Sequence, residues 1–135
     1  MTTQTLKVSR LYKDLDLDMS SPNPVTGDAP KKTDVNAVKQ AIKILMLTNF
    51  YERPFAPKKA GNVVGLLFEP MSNLISTTMA KVIEKLLQSY EPRANIQAVS
   101  VDPDFDNNAY TVNITFYVVG INAPQSLTTR LQRVR

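Results

Sequence analysis

Residues 72–119 read SNLISTTMAKVIEKLLQSYEPRANIQAVSVDPDFDNNAYTVNITFYVV, and within this one stretch the apolar period changes from helical to alternating. Leu74, Ile75, Thr78, Met79, Val82, Ile83, Leu86 and Leu87 keep three- and four-residue spacings for about four turns, which predicts a helix starting near Ser72 or Asn73. Pro92 disfavours helical geometry at Glu91, so the helix stops by Tyr90 or Glu91. Beyond it, Tyr110, Val112, Ile114, Phe116 and Val118 alternate with Thr111, Asn113, Thr115, Tyr117 and Val119, as in a strand with one less apolar face. Ile96 to Val101 is the predicted hairpin partner, joined through Asp102-Pro-Asp-Phe-Asp-Asn-Asn108, a segment rich in turn formers. Ile96 falls out of phase with Val99 and Val101, which predicts a bulge in that strand.

Working outward, Thr33 or Asp34 is placed to cap a first amphipathic helix ending near Asn49. Val35, Val38, Ala41, Ile42, Leu45 and Met46 line its apolar side, while Asn36, Lys39, Gln40 and Lys43 line the other. Ser20 to Pro30 holds three Pro, one Gly and an Asn, so residues 20–32 read as a surface loop. In Leu11 to Met19, Leu15, Leu17 and Met19 alternate with Asp14, Asp16 and Asp18, predicting a short half-exposed strand; residues 1–10 read as an N-terminal arm. Tyr51 to Gly61 carries two prolines and a glycine and reads as a loop packed down through Tyr51 and Phe55. Asn62 is placed to cap a short turn through Val63 to Phe68. Leu127 to Val134 alternates weakly, as an edge strand or arm over 126–135 would. The expected fold is α+β, a small mixed or antiparallel sheet packed on two amphipathic helices, in a single domain of 135 residues.

Composition removes whole classes of function. The chain has no Cys, so disulfides, thiolate nucleophiles and Cys-containing zinc or iron-sulfur sites are excluded, and no His, which removes Ser-His-Asp catalysis and the commonest metal ligand. Four glycines, at 27, 61, 65 and 120, cannot build a Gly-rich phosphate loop. The 16 Lys and Arg against 12 Asp and Glu leave a net charge of +4, but the basic residues are scattered and no aromatic stripe interleaves them, so no nucleic-acid partner is expected. Apolar runs such as Ile42 to Leu47 are far shorter than the roughly 20 residues a membrane helix needs. Met1 to Val8 lacks the apolar segment of a signal peptide, which predicts assembly in the cytoplasm of the producing cell.

Carboxylates are the remaining acid/base groups. Glu52, Glu69, Glu84 and Glu91 are available, without the Trp or the Asn/Asp cluster of a sugar groove around them. Asp102, Asp104 and Asp106 have the spacing of a calcium loop but lack its Gly and its closing Glu, and read as a turn. Glu91-Pro92-Arg93 is more informative. A Glu at a helix C-terminus faces the negative end of the dipole unless a cation offsets it. The pair either finishes the helix locally or forms an exposed charged clamp on a rigid corner. No catalytic, cofactor-binding or metal-ligating residue is assigned.

Together these segments resemble the baseplate wedge protein family that starts the tail sheath in contractile-tailed phages, known from the T-even phages and shared with the type VI secretion baseplate. The likeness covers most of the chain. It rests on Leu11-Tyr-Lys-Asp-Leu-Asp-Leu-Asp18, the Gly27-Asp28 loop, Glu52-Arg-Pro-Phe55 with Pro57, Leu67-Phe-Glu69 and, above all, Tyr90-Glu-Pro-Arg93. In the family the Glu-Pro-Arg signature contacts the helical core bundle of the wedge, so the resemblance implies partner binding by Glu91, Pro92 and Arg93. It assigns Arg53, Pro54, Phe55 and Phe68 as fold determinants. It implies a domain similar to the sheath protein's inner domain, presenting strand edges to the first sheath subunits. The alternation along Leu127 to Val134 and Tyr110 to Val119 makes these two segments the expected templating surface, through Leu127, Thr129, Arg130, Leu131 and Arg133, where Arg130, Arg133 and Arg135 keep the edge soluble. Strand addition uses backbone donors and acceptors and needs no cofactor. The implied partners are the wedge proteins and the tail sheath protein, with multiple copies in a six-fold baseplate of the virion. Some family members carry a lysozyme label, so a carboxylate-dependent peptidoglycan hydrolase is the alternative.

Overall fold

The helical period of residues 74–87 becomes α3, Asn73–Tyr90, in the computed structural model, which describes residues 12–19 and 21–133. Ser72 caps it, its hydroxyl accepting from the Ile75 amide at 3.2 Å, which satisfies one of the N–H groups a helix start leaves unpaired. Met79, Ile83, Leu86 and Leu87 are buried along one stripe. Leu74 was expected on that stripe but is 74 % exposed, because at 100° per residue it lies about 140° round the helix from Met79.

The chain forms two compact units, Met1–Ala37 and Val38–Arg135. In the second, β3 (Ala94–Asp104), β4 (Ala109–Val118) and β5 (Pro124–Gln132) form an antiparallel meander in the order β3-β4-β5. Val112, Ile114, Phe116 and Val118 of β4 are buried, as are Leu127 and Leu131 of β5. The helix α3 packs along β3 and against the short α2, Val63–Leu66. The predicted bulge is present, as a register shift between Ile96 and Ala98 opposite Phe116 and Thr115. The α+β class is confirmed, with every strand pairing among the described residues antiparallel. The first amphipathic helix is α1, Val35–Leu47, with Val38, Ile42, Leu45 and Met46 buried as expected.

In the first unit, β1 (Lys13–Leu15) pairs with β2 (Lys31–Thr33). The strand expected over Leu11 to Met19 is therefore much shorter. The chain leaves the extended state after Leu15, because the Met19 amide donates to the Asp16 carbonyl and the Asp18 amide to the Asp16 carboxylate. Leu15, Leu17 and Met19 are all exposed, so their alternation marks no buried face. The end of the loop expected over 20–32 is β2, a short, charged strand with no apolar alternation to announce it. Lys32 Nζ lies 3.1 Å from Asp16 and 3.6 Å from Asp18. This contact raises the Lys32 ammonium above its ordinary value. Residues 1–10 and Leu11 lie outside the described residues.

The segment expected to pack down through Tyr51 and Phe55 does not. Tyr51 is 82 % and Phe55 102 % exposed; the loop is instead held by its backbone, with the Tyr51 amide donating to the Pro57 carbonyl at 2.9 Å. Tyr51 takes φ +65° there, a conformation that costs a residue with a Cβ about 1–2 kcal/mol. Glycine avoids that strain but loses more chain entropy on folding. Tyr51→Gly is accordingly expected to stabilise the domain by about 0.5–1 kcal/mol in urea unfolding, and a destabilised variant would show that the exposed ring has a packing role.

The β3–β4 hairpin turns over residues 105–108, its loop starting three residues later than the expected Asp102, because β3 runs through Asp104. The Asn107 side chain and amide both donate to the Asp104 carboxylate, at 2.7 and 3.2 Å. Those bonds, the side-chain one foremost and aided by Arg130 at 3.6 Å, hold the Asp104 carboxyl below its ordinary 3.8. A depressed carboxylate contributes stability above its unfolded value and loses it as pH falls through the lower folded value. The stability gap between the parent and Asp104→Asn should therefore close as the pH is lowered from about 5 to below 3.8. A gap independent of pH would contradict this account of the turn.

Candidate functional site

The connection from α3 to β3 is one tight turn. The Glu91 amide donates to the Leu87 carbonyl at 2.9 Å, closing the helix, and the Ala94 amide donates to the Glu91 carbonyl at 3.2 Å, closing a four-residue turn with Pro92 at its second position. Proline is suited there because its ring presets φ. The turn directs Glu91 and Arg93 toward each other: Arg93 Nε donates to Glu91 Oε1 at 2.7 Å and Nη2 to Oε2 at 3.0 Å. This fork-to-fork geometry is the strongest form of charge-assisted pairing. The Glu91 side chain is 5 % exposed and that of Arg93 31 %. The carboxylate is a buried local partner, while Pro92 is exposed and the Arg93 side chain half-buried.

The second surface is the outer edge of β5. The Arg133 amide donates to the Asn108 carbonyl, and the β4–β5 register pairs Leu131 with Tyr110, Thr129 with Val112 and Leu127 with Ile114. Since antiparallel strands bond at every second pair, Leu127, Thr129 and Leu131 turn their backbone groups toward β4. Ser126, Thr128, Arg130 and Gln132 turn theirs outward, where no strand lies among the described residues. The outer edge of β3 is less regular. The same phase, set by the Val119 amide donating to the Arg93 carbonyl, directs Pro103 outward without an N–H, and the bulge at residues 96–98 interrupts the row.

Among the five β5 positions expected to template addition, only Arg130 has both an exposed side chain and an outward backbone. The side chains of Leu127 and Leu131 belong to the core. Arg133 is engaged inside the fold, donating from Nε to the Leu67 carbonyl at 3.1 Å and from Nη1 to Asn108 Oδ1 at 3.4 Å. That role was not legible because the acceptor is a backbone carbonyl 66 residues away. Thr128 was not singled out from sequence. It joins a row of hydrogen bonds across the exposed sheet face, Thr128 to Asn113 at 2.8 Å and Asn113 to Asp102 at 3.4 Å. Val134 and Arg135 lie outside the described residues. Of the expected fold determinants, Phe68 is 62 % exposed, and Phe55 and Pro54 are exposed with Arg53 half-buried. The two Phe rings thus cannot brace a core, since they are not in one. As for the carboxylates, Glu52 and Glu69 are exposed, Glu84 accepts from Gln88 at 3.4 Å, and Glu91 is paired with Arg93.

The anti-feeding prophage baseplate, determined by cryo-EM with six-fold symmetry, contains a chain of the same fold, with a TM-score of 0.61 and 18 % identity over 92 % of this chain and 87 % of that one. A crystal structure from Geobacter sulfurreducens, of a protein to which a tail-lysozyme role is ascribed, superposes with a TM-score of 0.66 at 17 % identity, over 73 % of this chain and 89 % of that one. At these identities the likeness shows the fold alone. Sequence similarity goes further: the baseplate wedge protein gp25 of Enterobacteria phage T4 is 30 % identical over 112 residues, 83 % of each chain. The family profile described as baseplate wedge protein gp25 matches residues 32–123, a span that includes the Glu91–Arg93 corner. The chain belongs to the baseplate wedge protein gp25 family.

Proposed function

We propose that the chain is a structural element of a contractile-tail baseplate wedge, docking through the Glu91–Arg93 corner on the wedge core bundle and templating the first tail sheath subunits along the outer edge of β5. The observation that carries the reading is the contrast between the two sheet edges. The β5 edge offers an unbroken outward row at Ser126, Thr128, Arg130 and Gln132, whereas β3 presents a proline and a bulge. An unpaired edge is the substrate of strand addition. Arg130, 52 % exposed on its side chain, supplies the edge charge that discourages self-pairing. The guanidinium of Arg93 is prealigned by Glu91, which lowers the cost of ordering it against a partner.

The hydrolase alternative requires two carboxylates converging on a cleft. Glu52 and Glu69 are instead solvent-exposed, and Glu91 is occupied by Arg93. The full chain is therefore expected to bind purified wedge proteins in a pull-down and to release no soluble fragments from peptidoglycan. Turnover that disappears in Glu52→Gln, Glu69→Gln or Glu91→Gln would establish the hydrolase instead.

A further inference from the structure

Beside the corner, the α1–α2 connection lies across α3 and leaves a groove of about 380 Å³ between them. Phe50, Lys58 and Gly61 form one wall and Val82, Lys85 and Leu86 the other. The connection is seated closely. A Cβ on Gly61 would come within 3.0 Å of Leu86 Cδ2 and 3.5 Å of Val82 Cγ1, and the Tyr90 hydroxyl donates to the Lys58 carbonyl at 2.9 Å. Phe50 remains 46 % exposed over this apolar floor. No Asp or Glu lines the groove, and Lys58 and Lys85, both exposed, have no carboxylate partner among the described residues.

We propose that this groove receives an acidic amphipathic helix from another subunit of the baseplate, with its apolar face over Val82 and Leu86 and its Asp or Glu flank against Lys58 and Lys85. The inference rests on the reading of the chain as a docking component and names the chemistry of a second contact beside the corner. Two observations choose this occupant. The rim charge is of one sign, so complementarity calls for an acidic partner. Much of the walls' backbone is already engaged, in α3 itself, at the Lys58 carbonyl, which accepts from the Ala60 amide, and at the Asn62 carbonyl, which accepts from the Leu66 amide. An extended peptide needs backbone partners, whereas a helix satisfies its own. From Val82 to Tyr90 the groove follows α3 for about 12 Å, room for anchors at i, i+3 or i+4, and i+7.

The test is photo-crosslinking in assembled particles, with p-benzoylphenylalanine replacing Ser89, a groove-lining residue. The crosslinked peptide is expected to come from a different baseplate subunit and to combine helical apolar spacing with Asp or Glu flanks. Lys58→Glu with Lys85→Glu should reduce that crosslink at least tenfold, while Lys81→Glu, exposed on the same helix outside the groove, should leave it unchanged. Exclusion of the folded double variant from particles counts as the same loss. A crosslink to a second copy of this chain, to an extended or basic segment, or to nothing overturns the proposal, as does a crosslink undiminished by charge reversal. A crosslink that persists in particles carrying Glu91→Met with Arg93→Met would remove the corner from the docking account while leaving the groove in place.

Discussion

Thr128→Pro is expected to yield baseplates that assemble but carry no sheath, seen as bare tail tubes by electron microscopy. Thr128 is central in the outward-facing row of β5, so proline there removes a donor that addition requires without removing a bond from the β4–β5 ladder. Thr128→Ala keeps the amide and loses only the side-chain bond to Asn113; it should give normally sheathed tails. Sheathed tails from the proline variant would refute templating by this edge. Deleting residues 126–135 is a poorer probe. It removes Leu127 and Leu131, 6 % and 3 % exposed, whose burial contributes about 1.5–3 kcal/mol each. Against a total of about 5–15 kcal/mol, that deletion should unfold the domain and prevent incorporation into the baseplate, rather than selectively abolish the sheath.

The second large effect concerns Glu91 and Arg93. Arg93→Ala leaves a carboxylate whose side chain is 5 % exposed without its bidentate partner. Breaking a buried pair on one side costs about 3–5 kcal/mol; the partial exposure of Arg93 reduces this to about 2–3 kcal/mol, measurable by urea unfolding. Replacing both residues by Met removes the uncompensated charge, and such replacements are often neutral. The double variant should therefore recover stability close to that of the parent while failing to bind the wedge core bundle. Parent-like binding by a stable double variant would mean that the pair only finishes α3.

The elements that were legible in sequence are those with a strong period. The helical spacing of Met79, Ile83, Leu86 and Leu87 and the alternation along Tyr110 to Val118 each repeat often enough to outweigh local exceptions. Even the bulge was visible, as the phase error of Ile96. Elements without a period were not: Lys31–Thr33 is a strand only because Lys13–Leu15 supplies its ladder. Isolated aromatics misled for a similar reason, since Tyr51 and Phe55 are of a type often buried and nothing in their spacing says otherwise. At the candidate site, the proximity of Glu91 and Arg93 could be read from Pro92 and the helix end, but the burial of Glu91 could not, because it depends on packing around the turn. Which backbone groups of β5 face outward depends on hydrogen-bond phase, and that is settled by the long-range contact of Arg133 with Asn108.

Templating by the β5 edge can be seen in a cryo-EM map of the assembled baseplate with its first sheath ring, at a resolution that shows backbone hydrogen bonds. The expected map has a sheath strand bonded to the outward groups of Ser126, Thr128, Arg130 and Gln132, with the Glu91–Arg93 corner against the helical bundle of the wedge. A map in which the β5 edge faces solvent, or in which the sheath joins β3 instead, would contradict templating by this edge.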